Sequence, residues 1–233
     1  MIPCRIFLAV PFFSPPLRTL WGDNLRGTPC TLEIFTHQKM IDFMKVHATE
    51  PQLRAFNTLV PWAYKVDLWR AVALYEKGGI FIDADTRLLK SPAVIVDLTM
   101  DVVQIPEDRG KGCLWNGFIA SPRHNVHLKM VINRIVQNVR NRVRGHADGN
   151  NEPSLGITGP CTYGRALRNN YRSLGRMAPD GSHVGHFATV ESSVKATFST
   201  HYAVYGGNTR FIQTFRRLFV YGLSNYKKRF SKR

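Results

Sequence analysis

Cysteine is scarce: the 233 residues hold four, Cys4, Cys30, Cys113 and Cys161, none in a Cys-X-X-Cys or Cys/His spacing. That spacing argues against a zinc knuckle and outlines no disulfide framework, so free thiols in a reducing compartment are expected. Long apolar runs are missing as well. The first, Ile6 to Phe13, is interrupted by Pro11 and followed by Pro15 and Pro16. Nowhere do about 20 apolar residues run unbroken, so neither a signal peptide nor a transmembrane segment is expected, and with free thiols this points to the cytoplasm. Charged residues make up only 21%, beside 14 Phe, 8 Tyr and 4 Trp. This composition excludes disorder, collagen and a long coiled coil. There is no internal repeat and no low-complexity tract.

Acid is also in short supply, 16 Asp and Glu against 32 Lys and Arg, for a formal charge of +16. Such a balance raises nucleic acid, membranes and polyphosphates as ligands. Its distribution matters more. Residues 208–233 contain Arg210, Arg216, Arg217, Lys227, Lys228, Arg229, Lys232 and Arg233 and no acid. Phe211, Phe215, Leu218, Phe219, Leu223, Tyr226 and Phe230 recur there at helical spacing, which describes a basic amphipathic tail. Such a tail suits peripheral contact with an anionic membrane, or docking of its apolar stripe on the domain's own core.

The apolar content, 44%, closes one substantial core. Short apolar runs alternate with amphipathic stretches of ten or more residues, the rhythm of strands joined by crossover helices. A Rossmann-like α/β fold with a mostly parallel sheet is therefore expected. Strands are predicted at Ile6–Val10, Thr31–Thr36, Ile80–Ile82, Val94–Val96, Val102–Ile105 and Gly117–Ala120. Helices are predicted at Gln38–His47, Pro51–Leu59, Pro61–Lys77 and His124–Arg144, with an exposed loop at Gly145–Gly156. Gly78-Gly79 reads as a helix stop through positive φ. The expected organisation is one domain over 1–207, with a nucleotide-sized half at 1–90 and a second half at 91–207, followed by the 208–233 tail.

The most informative stretch is Ile80-Phe81-Ile82-Asp83-Ala84-Asp85. In an extended segment residues two apart point the same way, so Asp83 and Asp85 should leave one sheet edge together. Two hard oxygen donors beyond the carboxyl end of a strand suit Mg²⁺ or Mn²⁺ holding a diphosphate. On the preceding helix Asp67 and Arg70 lie three apart on one face, beside Leu74 and Tyr75. An exposed ion pair worth a few tenths of a kcal/mol is the competing reading.

Taken together, Lys65-Val66-Asp67-Leu68-Trp69-Arg70 and Leu74-Tyr75-Glu76-Lys77-Gly78-Gly79-Ile80-Phe81-Ile82-Asp83-Ala84-Asp85 resemble the glycosyltransferases with a sugar-binding region containing an Asp-X-Asp motif. These include capsular polysaccharide, α-1,6-mannosyl and viral capsid-glycosylating transferases. Asn116-Gly117-Phe118-Ile119-Ala120-Ser121-Pro122, Thr158-Gly159-Pro160 and His201 extend the likeness. The opening Ile2-Pro3-Cys4-Arg5 and the segment Ser199 to Tyr205, which has no Trp, depart from the family pattern.

The resemblance implies a GT-A type fold and transfer of a sugar from a nucleoside diphosphate sugar to a hydroxyl of a glycan or glycoprotein, such as a capsid or surface polysaccharide. It further implies a retaining, metal-dependent reaction. Asp85, Asp83 and His201 would ligate Mn²⁺ or Mg²⁺, while Asp67, Arg70, Asp83 and Asn116 would contact the donor. Asp83, Asp85 and Arg70 would form the catalytic set. Lys65, Arg87 and Lys195 are candidates for assisting departure of the diphosphate. The alternatives are a metal-dependent nucleotidyltransferase or nuclease, which also pairs carboxylates at a strand end, and a basic nucleic-acid-binding protein using Arg134, Arg140, Arg142, Arg144 and the tail. No RNP, zinc or helix-turn-helix signature supports the latter, so no specific nucleic acid is expected.

Overall fold

The computed structural model describes residues 1–10, 15–60, 62–108, 112–143, 156–176 and 187–189. The basic tail, Lys195, His201, Arg144 and all but the last residue of the expected 145–156 loop lie outside the described residues.

Two short strands set the centre of the molecule. β1 (Arg5–Ala9) and β3 (Gly79–Ile82) pair in parallel, Ile6 opposite Ile80 and Phe7 opposite Phe81. Alternation along each sends Ile6, Leu8, Ile80 and Ile82 to one face of the sheet and Phe7 and Phe81 to the other. Both faces are apolar, as a strand covered on both sides by helices requires. β2 (Thr31–Phe35) adds in parallel to β1. On the far side of β3, β6 (Phe118–Ser121) runs antiparallel. β5 (Val103–Glu107) pairs antiparallel with β6, and β7 (Tyr171–Arg176) is parallel to β5. The sheet order is β2-β1-β3-β6-β5-β7, so the expected mostly parallel α/β sheet is present, with β6 as its antiparallel member. A separate antiparallel pair joins β4 (Thr86–Leu88) to β8 (Phe187–Thr189).

One face of the sheet is covered by α2 (His37–His47), α3 (Glu50–Thr58), α4 (Trp62–Lys77) and α6 (Val126–Arg140). The other face packs against α1 (Pro15–Leu25) and the single turn α5 (Pro92–Ile95). α4 is central: every residue from Val66 to Leu74 is buried, because sheet and helices surround it. The last helix among the described residues, α7 (Pro160–Leu167), packs on α6.

Three expectations are corrected. Val94–Val96 is not a strand: Pro92 follows Ser91 at a helix start, and the N–H groups of Val94 and Val96 donate to the carbonyls of Ser91 and Pro92. Three apolar residues carry no period that separates one helical turn from a short strand. The Pro-rich stretch before β2, where neither helix nor strand is predicted, contains α1, with Pro15 at its first position, where a missing N–H costs nothing. The cysteines are not free thiols. Cys4 bonds Cys30 across the starts of β1 and β2, with Cα atoms 4.5 Å apart, and Cys113 bonds Cys161, Cα atoms 4.0 Å apart. Both pairs are set by nonlocal register, which Cys spacing does not encode, and the argument for a reducing compartment falls with them. Among the described residues no helix is long and apolar enough to cross a membrane.

The glycine stop reads as expected. Gly78 and Gly79 have φ of 63° and 124°, and Gly78 N–H closes α4 onto the Leu74 carbonyl at 2.8 Å. A Cβ on Gly79 would lie 2.6 Å from the Arg5 carbonyl oxygen. Gly79→Ala should therefore lower unfolding free energy by at least about 1–3 kcal/mol from backbone strain, before the clash with β1 is added. Urea titration of the full chain checks this; a loss under about 0.5 kcal/mol, the scale of an ordinary surface change, would contradict it.

Candidate active site

The site forms where β3 ends. Asp83 leaves the sheet with its N–H on the Gly117 carbonyl at 2.6 Å, and the Thr86 N–H returns to the Asp83 carbonyl at 3.0 Å. Residues 83–86 are thus a turn. Asp83 and Asp85 do not alternate along an extended strand as the spacing suggested; a turn between β3 and β4 carries them. Both remain partly open to solvent, while Ala84 between them is buried.

α1 fixes that turn. Trp21 Nε1 donates to the Ala84 carbonyl at 2.8 Å and Asn24 Nδ2 to the Thr86 carbonyl at 2.9 Å, while Asn24 Oδ1 accepts from Leu88 N–H. Both side chains are buried, at 1% and 4% exposure. Sequence reading missed them because α1 itself was missed; a Trp and an Asn three residues apart, on one helical face, were the available signal.

Behind the turn lies a buried polar cluster. Arg70 NH2 sits 3.0 Å from Asp67 Oδ1, and Arg70 NH1 is 3.3 Å from Asp83 Oδ1. NH1 also donates to the Asn116 carbonyl, and the guanidinium lies over the Phe81 ring, 4.3 Å from its centroid. Asn116 Nδ2 donates to Asp67 Oδ1 and Thr158 Oγ1 to Asp67 Oδ2, each at 2.8 Å. Tyr163 OH donates to the Asp67 backbone carbonyl, also at 2.8 Å. Asp67, Arg70, Asp83 and Asn116, predicted separately, meet in one hydrogen-bonded group. Both Asp67 oxygens are engaged inside the protein, and its residue exposure is 6%.

The pair is not a surface ion pair. Burial raises the Asp67 carboxyl above its ordinary range, and Arg70, Thr158 and Asn116 pull it back. Burial also pushes the Tyr163 phenol far above its usual range, so it remains a donor. Truncating one member of such a pair strands the other charge, a loss of about 3–5 kcal/mol.

Gly117 is closely approached by side chains: a Cβ there would lie 2.3 Å from Asp83 Oδ2 and 2.5 Å from the Trp115 ring, so a larger residue would displace the Asp83 carboxylate or the indole. Lys65 is held elsewhere. Its ammonium donates to the Phe56 carbonyl at 2.7 Å and lies over the Phe56 ring, and burial lowers its pKa. It closes the end of α3. Arg87 is exposed on β4.

No cluster of three or more His, Cys, Asp and Glu side chains is assembled among the described residues. Asp83 and Asp85 are a two-carboxylate donor set at an open turn, a set that fits a hard divalent cation sharing its remaining positions with diphosphate and water.

Thr158→Val keeps the side-chain shape and leaves a buried carboxylate oxygen one donor short. Unfolding free energy should drop by about 1.5–3 kcal/mol, with Thr158→Ser restoring most of it. The sign with pH follows from the raised Asp67 carboxyl: the folded state binds that proton more tightly than the unfolded. Asp67's contribution to stability thus falls as pH rises from the ordinary carboxylate value through the folded one. Thr158→Val should carry that decline to higher pH in urea titrations across a pH series; an unmoved profile would refute the coupling.

No curated protein matches the sequence significantly. Among solved structures, "PaToxG Glycosyltransferase" is similar over 72% of this chain and 69% of its own, at 16% identity and a TM-score of 0.55. The UDP-bound glycosyltransferase domain of the YGT toxin matches 58% of this chain at 11% identity and a TM-score of 0.40, and this chain spans about half of its length, 50%. The first likeness establishes a shared fold, of the GT-A type. Residues 21–102, which contain the end of α1 from Trp21, all of α4 and the Asp83-Ala84-Asp85 turn, match the model of the glycosyltransferase sugar-binding region containing the DXD motif, the family that the chain resembles.

Proposed function

We propose that the protein transfers a sugar from a nucleoside diphosphate sugar to a hydroxyl of a glycan or glycoprotein acceptor, with retention at the anomeric carbon. The observation that carries this reading is the Arg70 guanidinium, lodged between Asp67 and Asp83 at the carboxyl end of β3 inside the matched region. Ligands of open α/β sheets gather at that edge.

In this reading Asp85 and Asp83 hold Mn²⁺ or Mg²⁺, with His201, outside the described residues, as a further ligand. The ion, when bound, neutralises charge that builds on the departing diphosphate. The chain's own residues do the positioning. Arg70 is the fixed cation nearest Asp83, and because Asp67 holds it from behind, its planar fork stays aimed along one direction. Asp67, enclosed by three donors, acts on the donor sugar through Arg70 and Asn116. Asn116, with its amide on Asp67 and its carbonyl on Arg70, fixes the second wall of the donor site. Retention follows from the family resemblance, with a front-face path through an oxocarbenium-like state. The basic segment 208–233 supplies charge for contact with an anionic membrane, about 1 kcal/mol for each basic residue near the surface.

Two tests bear on this reading. A panel of nucleoside diphosphate sugars, titrated calorimetrically, should bind at least about tenfold more weakly in chelator than with Mn²⁺, since the diphosphate would otherwise meet the Asp83 and Asp85 carboxylates with no metal ion between them. Asp85→Asn should remove both that metal dependence and turnover while leaving the unfolding transition in place. Equal affinity in chelator and metal would defeat the proposal. Arg70→Lys should lower kcat by about two orders of magnitude or more, because a point ammonium does not reproduce the fork that reaches Asp67, Asp83 and the Asn116 carbonyl together. Near-normal kcat/KM in that variant would make Arg70 structural only.

A further inference from the structure

Every donor to Asp67 other than Arg70 comes from two segments far apart in sequence. Asn116 lies three residues after Cys113. Thr158 lies three residues before Cys161, and Tyr163 two residues after it. Those two cysteines are bonded to each other. We propose that the Cys113–Cys161 disulfide is a positioning element of the site. It holds residues 113–117 and 158–163 in the register that seats Asp67 and Arg70, so the chain reaches its working geometry only after the two thiols have been oxidised.

Beside the bond the two segments meet backbone to backbone. Leu114 N–H donates to the Pro160 carbonyl at 3.0 Å. α7 approaches the 112–113 backbone through Gly164, where an added Cβ would lie 1.9 Å from the Gly112 carbonyl oxygen. No side chain fits between them. Cys113 and Cys161, 6% and 4% exposed, form a buried apolar pair apart from the two cores that flank the sheet. Leu114 and Tyr163 join the core on one face of the sheet, but where Gly164 meets Gly112 no side chain interdigitates, and there the covalent bond adds the restraint that packing does not.

The contacts on either side are demanding. Three 2.8 Å hydrogen bonds converge on one residue, and the Arg70 fork depends on where Asp67 sits. A displacement of about 1 Å in either segment removes a hydrogen bond from a buried charge and lets the fork swing, and misplacement of that size costs catalysis on the order of a hundredfold.

Closing the bond takes one proton and one electron from each thiol. By thiol–disulfide exchange these pass to a disulfide oxidant, which leaves as two thiols. Protein folding in an oxidising compartment, or exposed to such an oxidant, would acquire the bond. Its burial then shields it from reductants in solution. The Cys4–Cys30 bond, at the far ends of β1 and β2 from the Asp83 turn, serves as an internal control.

The kinetic arm of the test rests on the sugar-transfer reading, whereas the exchange arm does not. The full oxidised chain is compared with Cys113→Ala/Cys161→Ala, with Cys4→Ala/Cys30→Ala, and with the unsubstituted chain refolded in dithiothreitol, which keeps both sulfurs in place. Amide hydrogen exchange is read by mass spectrometry, and turnover with the nucleoside diphosphate sugar that the oxidised chain accepts best. Without the Cys113–Cys161 bond, peptides covering 112–121 and 156–167 should exchange about tenfold faster or more, while those covering β1 and β3 are unchanged. kcat should fall about tenfold or more with KM for the donor within about threefold. The Cys4–Cys30 variant should keep the exchange of both site segments and kcat. Unchanged exchange at 112–121 and 156–167, or unchanged kcat, would overturn the proposal. Faster exchange throughout the sheet would overturn it too, making the bond a global staple. If the oxidised chain turns over no nucleotide sugar, the proposed function fails, and the exchange pattern still decides the positioning role.

Discussion

The structure is organised around a buried charge pair. α4 is enclosed from Val66 to Leu74, and within that stretch Asp67 and Arg70 leave water together. Two ions in a low-dielectric interior are tolerated only when mutual attraction and further hydrogen bonds replace their hydration. Asn116, Thr158 and Tyr163 serve Asp67, and Asp83, the Asn116 carbonyl and the Phe81 ring serve Arg70. These groups arrive from β3, from the approach to β6 and from the start of α7. Satisfying one pair therefore fixes three separate parts of the chain relative to α4, and the candidate site at the end of β3 is built outward from it.

The DXD turn is secured differently. Asp83 is anchored from the sheet by Gly117, and the rest of the turn by Trp21 and Asn24. In the proposed reading Asp83 and Asp85 receive a cation, and for that their carboxylates cannot be saturated by protein donors. Here the backbone of the turn carries the restraint, which leaves the two carboxylates partly open to solvent.

Much of this was legible before any coordinates. Gly78-Gly79 announced the end of α4, the apolar run Ile80–Ile82 announced a covered strand, and Asp67 with Arg70 stood out as charges on a face that should be apolar. Those signals are local, carried by periodicity and by residues whose backbone preferences differ sharply. The DXD turn, α1 and both disulfides were not legible. Whether a strand continues through Asp85 depends on hydrogen bonds from Trp21 and Asn24, more than 60 positions away in sequence. Cys4 meets Cys30 because Arg5 pairs with Thr31, and Cys113 meets Cys161 because α7 folds back on the approach to β6; neither register leaves a mark in Cys spacing. Lys65 shows the converse hazard, for a cation beside the motif closes the end of α3.

The antiparallel pairing of β6 with β3 sets Ile82 opposite Phe118 and so brings Gly117 under Asp83. Slipping β6 by one residue would exchange its two faces. Asn116 would turn from Asp67, and a side chain would enter the space that Gly117 leaves empty. An all-apolar strand in this place would tolerate such a slip, because Phe118, Ile119 and Ala120 are buried on whichever side they fall. The polar cluster thus discriminates between registers: a β6 slipped by one residue leaves the buried Asp67 carboxylate without Asn116, a cost that an all-apolar strand would not incur.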